Sequence, residues 1–589
     1  MINLTKTNKG ELYLVLLASI FVQLLLAFQG FDICDDGFAL TFYQQIYNDP
    51  SSVEYSFVYW LSGVVGGVWY ELYPNGGIMW FKLFTIIINT ITFIVGYNIF
   101  KQFMPKRIVI LGMLIILFVN DFGFLIYYHN HLTALLAIVS VLFLLKGLIK
   151  NNTLAIILSG SIIGMNVFTR IPNLTLIVFI LAIPFYYVLN KETIKKAVRP
   201  ILYYALGIVI GFVIITLLLL VLGQFNIMQN AILGLFDLGA TKDSTHNVGG
   251  LLRTYYYNYR MLFRVIGELL LIIIAFLAIY NNFKKLLWLR YVFLFLAFCF
   301  VFIWFKNGNL FTVYAIAYVG AFLILFTKQN TGIKTLAFLG ILMLTFLPLG
   351  SGGAIVSSGY MCIWLSVPFF FYFLSNTENT TITIKNNLIS NISLTKQSFS
   401  ALILFISIAF FSAKALNLSK EAYFDKGSRL KKTYTIKSDL AKGIYTTERR
   451  AEITNDLLLN LEKYVKPNDY LLTYDKIPMV HFLTKTRPYM YNSWIWIYDS
   501  YSFEKKLKKA EEEIKIYPVV VTQKFETTRN FSEPIPEYLA ENLTNTKGYI
   551  NAYDAKKNKT MNTFLKENEY EIVWSNAYFN ILKTKKTYK

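Results

Sequence analysis

Long uninterrupted runs of apolar residues constrain the fold of this 589-residue chain more than any other feature. About 13 runs of roughly 17 to 25 residues are long enough to cross a bilayer as helices. The chain is 55% hydrophobic and only 15% charged, which excludes a soluble globule and predicts an α-helical polytopic membrane protein. The runs begin near Leu12, Gly77, Ile108, Leu132, Leu154, Ile171, Ile201, Met261, Leu286, Leu310, Thr335, Gly359 and Phe399.

The distribution of Lys and Arg predicts how the chain is oriented. If the N-terminus lies in the cytoplasm and the spans alternate, the cytoplasmic loops carry about 18 basic residues and the opposite side about seven. Cytoplasmic loops of membrane proteins are enriched in basic residues. We therefore expect a cytoplasmic N-terminus, and an odd number of spans then places the C-terminal region outside the cytoplasm.

The net charge of +21 does not indicate a nucleic-acid partner, because the basic residues are spread over loops and a polar C-terminal region. The three cysteines are isolated and form no zinc-binding spacing or disulfide framework.

The composition changes near Leu418, where long apolar runs stop and Lys, Glu, Asn and Tyr become frequent. We expect a transmembrane domain over 1–417, with a first external loop at 29–75, and a soluble extracytoplasmic α/β domain over 418–589. Periodicity predicts strands at 469–474 and 517–522, a helix at 503–516 and a hairpin of 570–574 with 578–582. The aromatic run 489–498 suits either packing against the membrane domain or stacking on sugar rings, and we favour packing.

The first external loop contains a cluster of carboxylates. Asp32, Asp35 and Asp36 follow the first apolar run, and no Lys or Arg occurs between Lys9 and Lys82. Function is the default hypothesis for acidic residues at a membrane surface, and desolvation would raise their pKa toward the general-base range. Ordinary solvated aspartates are the alternative. We expect Gly37 to permit a tight turn here, and 38–47 and 53–72 to form short helices in the interface plane.

A second external turn, 120–131, contributes Asp121, His129 and His131. A metal site that combines one histidine with the aspartate pair is one interpretation. Because the two histidines are two residues apart, they face different ways on a helix, and a structural or hydrogen-bonding role is an equally good interpretation.

Basic residues on the external side predict a phosphate-binding site. Arg253, Tyr257, Arg260 and Arg264 share one helical face, and Arg suits bidentate recognition of phosphate. Two more cations, Arg170 and Lys306, lie at external helix ends. The alternative is that this stripe of side chains reaches the lipid headgroups without a specific ligand.

Taken together, the Asp35-Asp36-Gly37-Phe38 motif after the first span, the long first loop, the 13 spans and the external C-terminal domain resemble the GT-C superfamily of membrane glycosyltransferases. This superfamily includes lipid A aminoarabinose transferases, oligosaccharyltransferases and protein mannosyltransferase-like enzymes. The resemblance implies a bacterial cytoplasmic (inner) membrane enzyme that uses a polyprenyl-phosphate sugar at the outer face.

The resemblance also implies roles for particular residues. It makes Asp36, then Asp35, the catalytic base, Asp121 a second acidic group and Asp32 secondary. It leaves open whether a divalent metal is used, and it implies a glycan, lipid or protein of the cell envelope as acceptor. A transporter, flippase or ligase of lipid-linked glycans, or a non-catalytic scaffold, is the alternative.

Overall fold

The computed structural model describes residues 9–119, 126–238, 247–282, 286–376, 380–382, 392–474, 476–524 and 552–587. Within these residues, nine helical segments are long and apolar enough to cross a membrane, and a bent pair at 355–375 makes ten. Two shorter apolar helices accompany them. The chain is thus a multi-pass membrane protein. The total of 13 spans stays a prediction, since the segment expected near Ile108 forms a helix of only 12 residues.

The helices, in chain order, are α1 (Lys9–Ala27), α2 (Asp35–Gln45), α3 (Trp60–Leu72), α4 (Gly77–Phe100), α5 (Lys106–Leu117), α6 (His129–Lys150), α7 (Thr153–Val167), α8 (Ala182–Leu189), α9 (Val198–Val221), α10 (Phe225–Leu238), α11 (Val248–Asn282), α12 (Leu287–Asn307), α13 (Asn309–Leu325), α14 (Thr331–Phe346), α15 (Ile355–Cys362), α16 (Val367–Ser375), α17 (Lys396–Lys420), α18 (Glu448–Leu461), α19 (Met479–Thr484), α20 (Ser500–Ile514) and α21 (Ala552–Glu567). Longer 3-10 segments are Pro50–Tyr59 and Ile171–Leu181.

The strands are β1 (Thr380–Ile382), β2 (Ile392–Leu394), β3 (Tyr434–Thr435), β4 (Tyr445–Thr446), β5 (Tyr470–Tyr474), β6 (Arg487–Pro488), β7 (Val519–Gln523), β8 (Tyr570–Ser575) and β9 (Phe579–Thr584). The last five form one sheet in the order β6-β5-β7-β9-β8. β5 is parallel to β6 and β7, whereas β7–β9 and β8–β9 are antiparallel. The strands, helix and hairpin predicted for the C-terminal region are confirmed.

Two facing glycine pairs set the distance between α7 and α9. A Cβ added at Gly160 would lie 2.1 Å from the Tyr204 carbonyl oxygen, and one at Gly207 would lie 2.2 Å from the Ile157 carbonyl oxygen. Each glycine begins a Gly-x-x-x-Gly pattern, which lets membrane helices approach until their backbones touch.

The first loop is helical as expected, but α2 does not lie in an exposed interface. Its residues from Asp36 to Gln45 are all buried, and α2 packs against α3 and α19. Gly37 lies within the helix rather than in a turn. An added Cβ there would lie 2.1 Å from the Met479 backbone nitrogen, so the glycine is needed for the close approach of α19.

The C-terminal sheet region is joined directly to the first loop. The backbone N–H of Met479 donates to the Ile33 carbonyl at 3.0 Å, and that of Tyr55 donates to the Tyr491 carbonyl at 3.1 Å. The side of the helix bundle covered in this way, at the C-terminal end of α1, is called the sheet side below. The boundary between two domains near residue 417 stays a prediction.

We predict that Gly207→Leu lowers the thermal stability of the protein in detergent. The new side chain would clash with the backbone of α7, which cannot move aside as a flexible side chain can, and such overpacking costs about 1–3 kcal/mol or more. Gly267→Leu on α11 is the matched control, because an added Cβ at Gly267 meets no atom within 4 Å. Equal melting temperatures of the two variants would contradict this account of the α7–α9 contact.

Candidate active site on the sheet side

Asp32 organises the start of α2. Its carboxylate accepts hydrogen bonds from the backbone N–H groups of Cys34, at 2.7 Å, and Asp36, at 2.9 Å. A carboxylate in this position satisfies free N–H groups and interacts favourably with the helix dipole. Asp32 therefore fixes the first turn of the helix, in which Asp35 and Asp36 lie.

Asp35 and Asp36 differ in their surroundings. The Asp35 carboxylate is partly exposed, and its Oδ2 accepts a hydrogen bond from the Tyr423 hydroxyl at 2.7 Å. Burial raises the pKa of Asp35. Burial also raises the pKa of Asp36 to about 7, against the opposing charge of Lys82 and with a further increase from Asp35. A pKa near neutral suits Asp36 to accept and release a proton.

Lys82 of α4 supplies the cation that the first loop lacks. Its side chain is only 3% exposed, and Nζ donates to the carbonyls of Ala27, at 2.9 Å, and Gly30, at 3.1 Å. Its charge also acts on Asp36 and Asp32. In the sequence, Lys82 appears only as the next basic residue after Lys9. The signal that could have singled it out is an isolated lysine within an apolar helix, which usually has a partner.

Arg170 is another buried cation of the site. It is 6% exposed, and within the described ranges its Nη1 has no hydrogen-bond partner. Its charge acts on Tyr59 and Tyr128, and the charge of Asp35 acts on the same two tyrosines. Arg170 and Asp35 thus lie around shared aromatic neighbours. A buried guanidinium with an unpaired donor is costly, which makes Arg170 a candidate for binding an anionic ligand.

The two histidines of the second turn contact the tyrosines Tyr59 and Tyr128 beside the site. The His129 ring stacks on Tyr59 with a centroid distance of 4.1 Å. His131 Nδ1 accepts a hydrogen bond from the Tyr128 backbone N–H at 3.1 Å and caps α6. Asp121 lies outside the described residues.

The possibility of a metal centre was tested on the same residues. Across the described ranges, no three His, Cys, Asp or Glu side chains gather in a group that could hold an ion. The described residues alone therefore do not assemble a metal centre.

The arginine stripe predicted as a phosphate site lies on the exposed surface of α11. Arg253, Tyr257, Arg260 and Arg264 are all exposed on α11. In the described part of the chain, no hydrogen bond, ion pair or ring contact links them to Asp35, Asp36 or Arg170.

Glu268 places part of this stripe near the end of α12. It pairs with Arg264 at 3.1 Å and accepts a hydrogen bond from Trp304, two residues before Lys306. Lys306 is partly buried, and its carbonyl accepts a hydrogen bond from the Asn417 side chain. Phosphate binding by the stripe and Lys306 stays a prediction.

A buried ion cluster joins the C-terminal region to the site. Asp425 Oδ1 lies 2.9 Å from Lys432 Nζ and 3.4 Å from Arg450 Nε, and all three side chains are fully buried. Asp425 Oδ2 accepts from the Phe31 N–H at 2.9 Å, and Arg450 Nη1 donates to the Phe31 carbonyl at 2.7 Å. The cluster therefore fixes the backbone just before Asp32. Sequence spacing gave no signal for this link, because Phe31 and Asp425 are 394 residues apart.

We predict that Asp425→Asn destabilises the protein by about 3–5 kcal/mol, since it leaves two buried cations without their carboxylate. Burial raises the pKa of Asp425, but Arg450 and Lys432 outweigh it and hold the pKa below its usual value. A lowered folded pKa means that the stabilisation is present above the unfolded pKa and is lost as pH falls through the folded pKa.

Thermal melts of wild type and Asp425→Asn at neutral and acidic pH test this, and the difference should shrink on acidification. Asp49→Asn is the control, because Asp49 forms a partly exposed pair with Arg487 at 3.3 Å and should cost no more than about 1 kcal/mol. Equal losses in both variants would be inconsistent with a special role for the cluster.

Comparison with solved structures identifies the fold. The structure of ArnT from Cupriavidus metallidurans bound to undecaprenyl phosphate aligns with a TM-score of 0.52 and 10% identity over 98% of each chain. The chain has a GT-C-type fold. This likeness confirms, for the fold, the resemblance inferred from the sequence.

Two structures of the Archaeoglobus fulgidus oligosaccharyltransferase also align with 86% of this chain. One, tethered to an acceptor peptide, gives a TM-score of 0.42 and 10% identity over 69% of its length. The other, a complex with Zn and sulfate, gives 0.45 and 11% over 68%. No protein-family model and no curated protein matches the sequence.

Proposed function

We propose that this GT-C-type protein is an inverting glycosyltransferase that moves a sugar from a polyprenyl-phosphate donor to a cell-envelope glycan, lipid or protein. The observation that carries the proposal is that Asp35, of the Asp35–Asp36 pair, and Arg170 both act on Tyr59 with opposite charges. Among the described residues, the Arg170 guanidinium also has a buried donor, Nη1, without a partner. A base and a phosphate-binding cation are what transfer from a lipid phosphate needs. The fold shared with ArnT, whose structure holds undecaprenyl phosphate, supports this choice.

The proposed reaction is a direct displacement. An acceptor hydroxyl oxygen attacks the anomeric carbon and forms the new glycosidic bond, while the bond from that carbon to the phosphate oxygen breaks. The polyprenyl phosphate leaves with the electron pair, and attack from the opposite face inverts the anomeric centre. The acceptor proton passes to the carboxylate pair, where Asp35 is the more exposed member.

The two buried cations have different tasks in this scheme. Arg170 binds the donor phosphate and stabilises the charge that develops as the sugar departs. Lys82 keeps Asp36 sufficiently ionised to accept a proton, even though burial favours the neutral acid. The stripe on α11 would then contact lipid headgroups around the donor.

The proposed placement is a bacterial cytoplasmic membrane, with the N-terminus in the cytoplasm and the sheet side outside. A flippase or a ligase of lipid-linked glycans is the alternative. The charged groups of this site gather at one end of the bundle, whereas a transporter is expected to bind its substrate near the bilayer midplane. This arrangement favours the transferase.

We predict that Asp35→Asn or Asp36→Asn lowers the rate of sugar transfer about 10²- to 10⁴-fold, the range expected for loss of a general base. Both substitutions keep the shape of the side chain. The measurement is transfer from a mixture of labelled undecaprenyl-phosphate sugars in membranes that contain equal amounts of each variant.

Glu71→Gln is the matched control, because Glu71 is an exposed acid of the same loop. It should transfer at the wild-type rate. Full activity of both aspartate variants would exclude the pair as the base, and a wild type that transfers no sugar from any donor would refute the proposed function.

We predict opposite effects of Arg170→Gln on stability and activity. Without ligand the variant should melt at a higher temperature than wild type, because it removes a buried charge that has an unpaired donor. Its KM for the donor should rise about 10- to 100-fold, since hydrogen bonds to a charged group contribute about 1.5–3 kcal/mol.

Arg107→Gln serves as the control for the Arg170 experiment. Arg107 pairs with Glu11 at the other end of α1, and its loss should leave the donor KM unchanged. A donor KM that Arg170→Gln does not change would show that the phosphate binds elsewhere.

A further inference from the structure

In the C-terminal sheet, the direction in which successive strands are added reverses between β5 and β7. From β5 the chain proceeds to β6 on one side, while the strands that follow β7 lie on its other side. Open α/β sheets bind ligands outside the carboxyl ends of their strands at such a point. Here it lies between β5 and β7, where the Lys476 backbone N–H donates to Gln523 Oε1 at 3.3 Å.

This edge of the sheet lies directly against the candidate active site. The hydrogen bond from Met479 to Ile33 joins the segment after β5 to the residues just before α2. Trp494 Nε1 donates to the Cys34 sulfur at 3.3 Å, and Cys34 is the immediate neighbour of Asp35. A ligand held at this edge therefore adjoins the proposed base.

Two tryptophans and a lysine lie at this edge. The rings of Trp494 and Trp496 lie 5.2 Å apart between centroids with a tilt of 40°, and both side chains are partly exposed. Lys476 Nζ lies 4.9 Å from the centre of the Trp496 ring. Most of the aromatic run around them is buried, as the packing hypothesis expected, so these two tryptophans are distinct.

The chemistry of these groups selects a class of ligand. Indole rings offer flat apolar faces, which match the C–H face of a pyranose ring, and an ammonium group donates to hydroxyl or acidic substituents. A peptide would instead use backbone hydrogen bonds along an exposed strand edge. We propose that Trp494, Trp496 and Lys476 bind the sugar ring of a carbohydrate acceptor, an inference that rests on the proposed transferase function.

The test uses the full chain in lipid nanodiscs on an array of bacterial cell-envelope glycans, beside an array of peptides, without any donor. Wild type should be retained by glycans, and Trp496→Ala should bind them about tenfold or more weakly, as expected for loss of an aromatic anchor. Trp496→Tyr, which keeps a ring face, should restore most of the binding. Trp574→Ala is the control, since this partly exposed tryptophan lies on β8 at the far edge of the sheet.

Several results would overturn the proposal: no glycan retained by wild type, equal retention of wild type and Trp496→Ala, or retention of peptides alone. If Trp496→Ala does not melt cooperatively, it is misfolded and its binding is not interpreted. Trp496→Tyr then provides the test, and the proposal requires it to bind like wild type. Because no donor is present, the outcome is separate from the transfer assay. Glycan binding that depends on Trp496, in a protein that transfers no sugar, would leave this site standing and remove the proposed reaction.

Discussion

Lys82 places a buried positive charge beside carboxylates that burial alone would drive toward the neutral acid. The rest of the sheet side depends on this interaction, because Lys82 also fixes the end of α1 through the carbonyls of Ala27 and Gly30. One side chain of α4 therefore determines both where the first loop begins and how readily Asp36 accepts a proton. A carboxylate in water would have neither constraint, and its pKa would stay too low for a base at neutral pH.

The same region has a second buried cation that remains incompletely paired. Asp425 is surrounded by Lys432 and Arg450, and its carboxylate is fully used within the protein. Arg170, in contrast, is 6% exposed and has a donor, Nη1, that finds no partner among the residues the structure describes. A protein selected for stability alone would replace Arg170, so the retained cost favours a role in binding.

Much of this architecture follows from local sequence pattern. The apolar runs predicted a polytopic membrane protein, and alternation of side chains predicted β5, β7 and the β8–β9 hairpin. The Asp35-Asp36 motif stands out because it follows an apolar run and no Lys or Arg occurs between Lys9 and Lys82. These signals depend on residues close together in the chain.

The remaining features depend on contacts between distant segments, which no spacing rule reveals. Tyr423 reaches Asp35 across almost 400 residues, and Gly37 is needed because α19 approaches there rather than for a turn. The sequence pattern pointed to the α11 stripe as the phosphate site and added Arg170 and Lys306 only as further cations. Only burial separates them, because Arg170 lies inside the site while the stripe is exposed.

The most direct test of the account is a cryo-EM structure of the full chain in lipid nanodiscs with undecaprenyl phosphate bound. The account predicts phosphate density in contact with the Arg170 guanidinium, beside Tyr59 and facing the Asp35–Asp36 pair. Phosphate density on the exposed stripe of α11, with the Arg170 donor still unpaired, would contradict it.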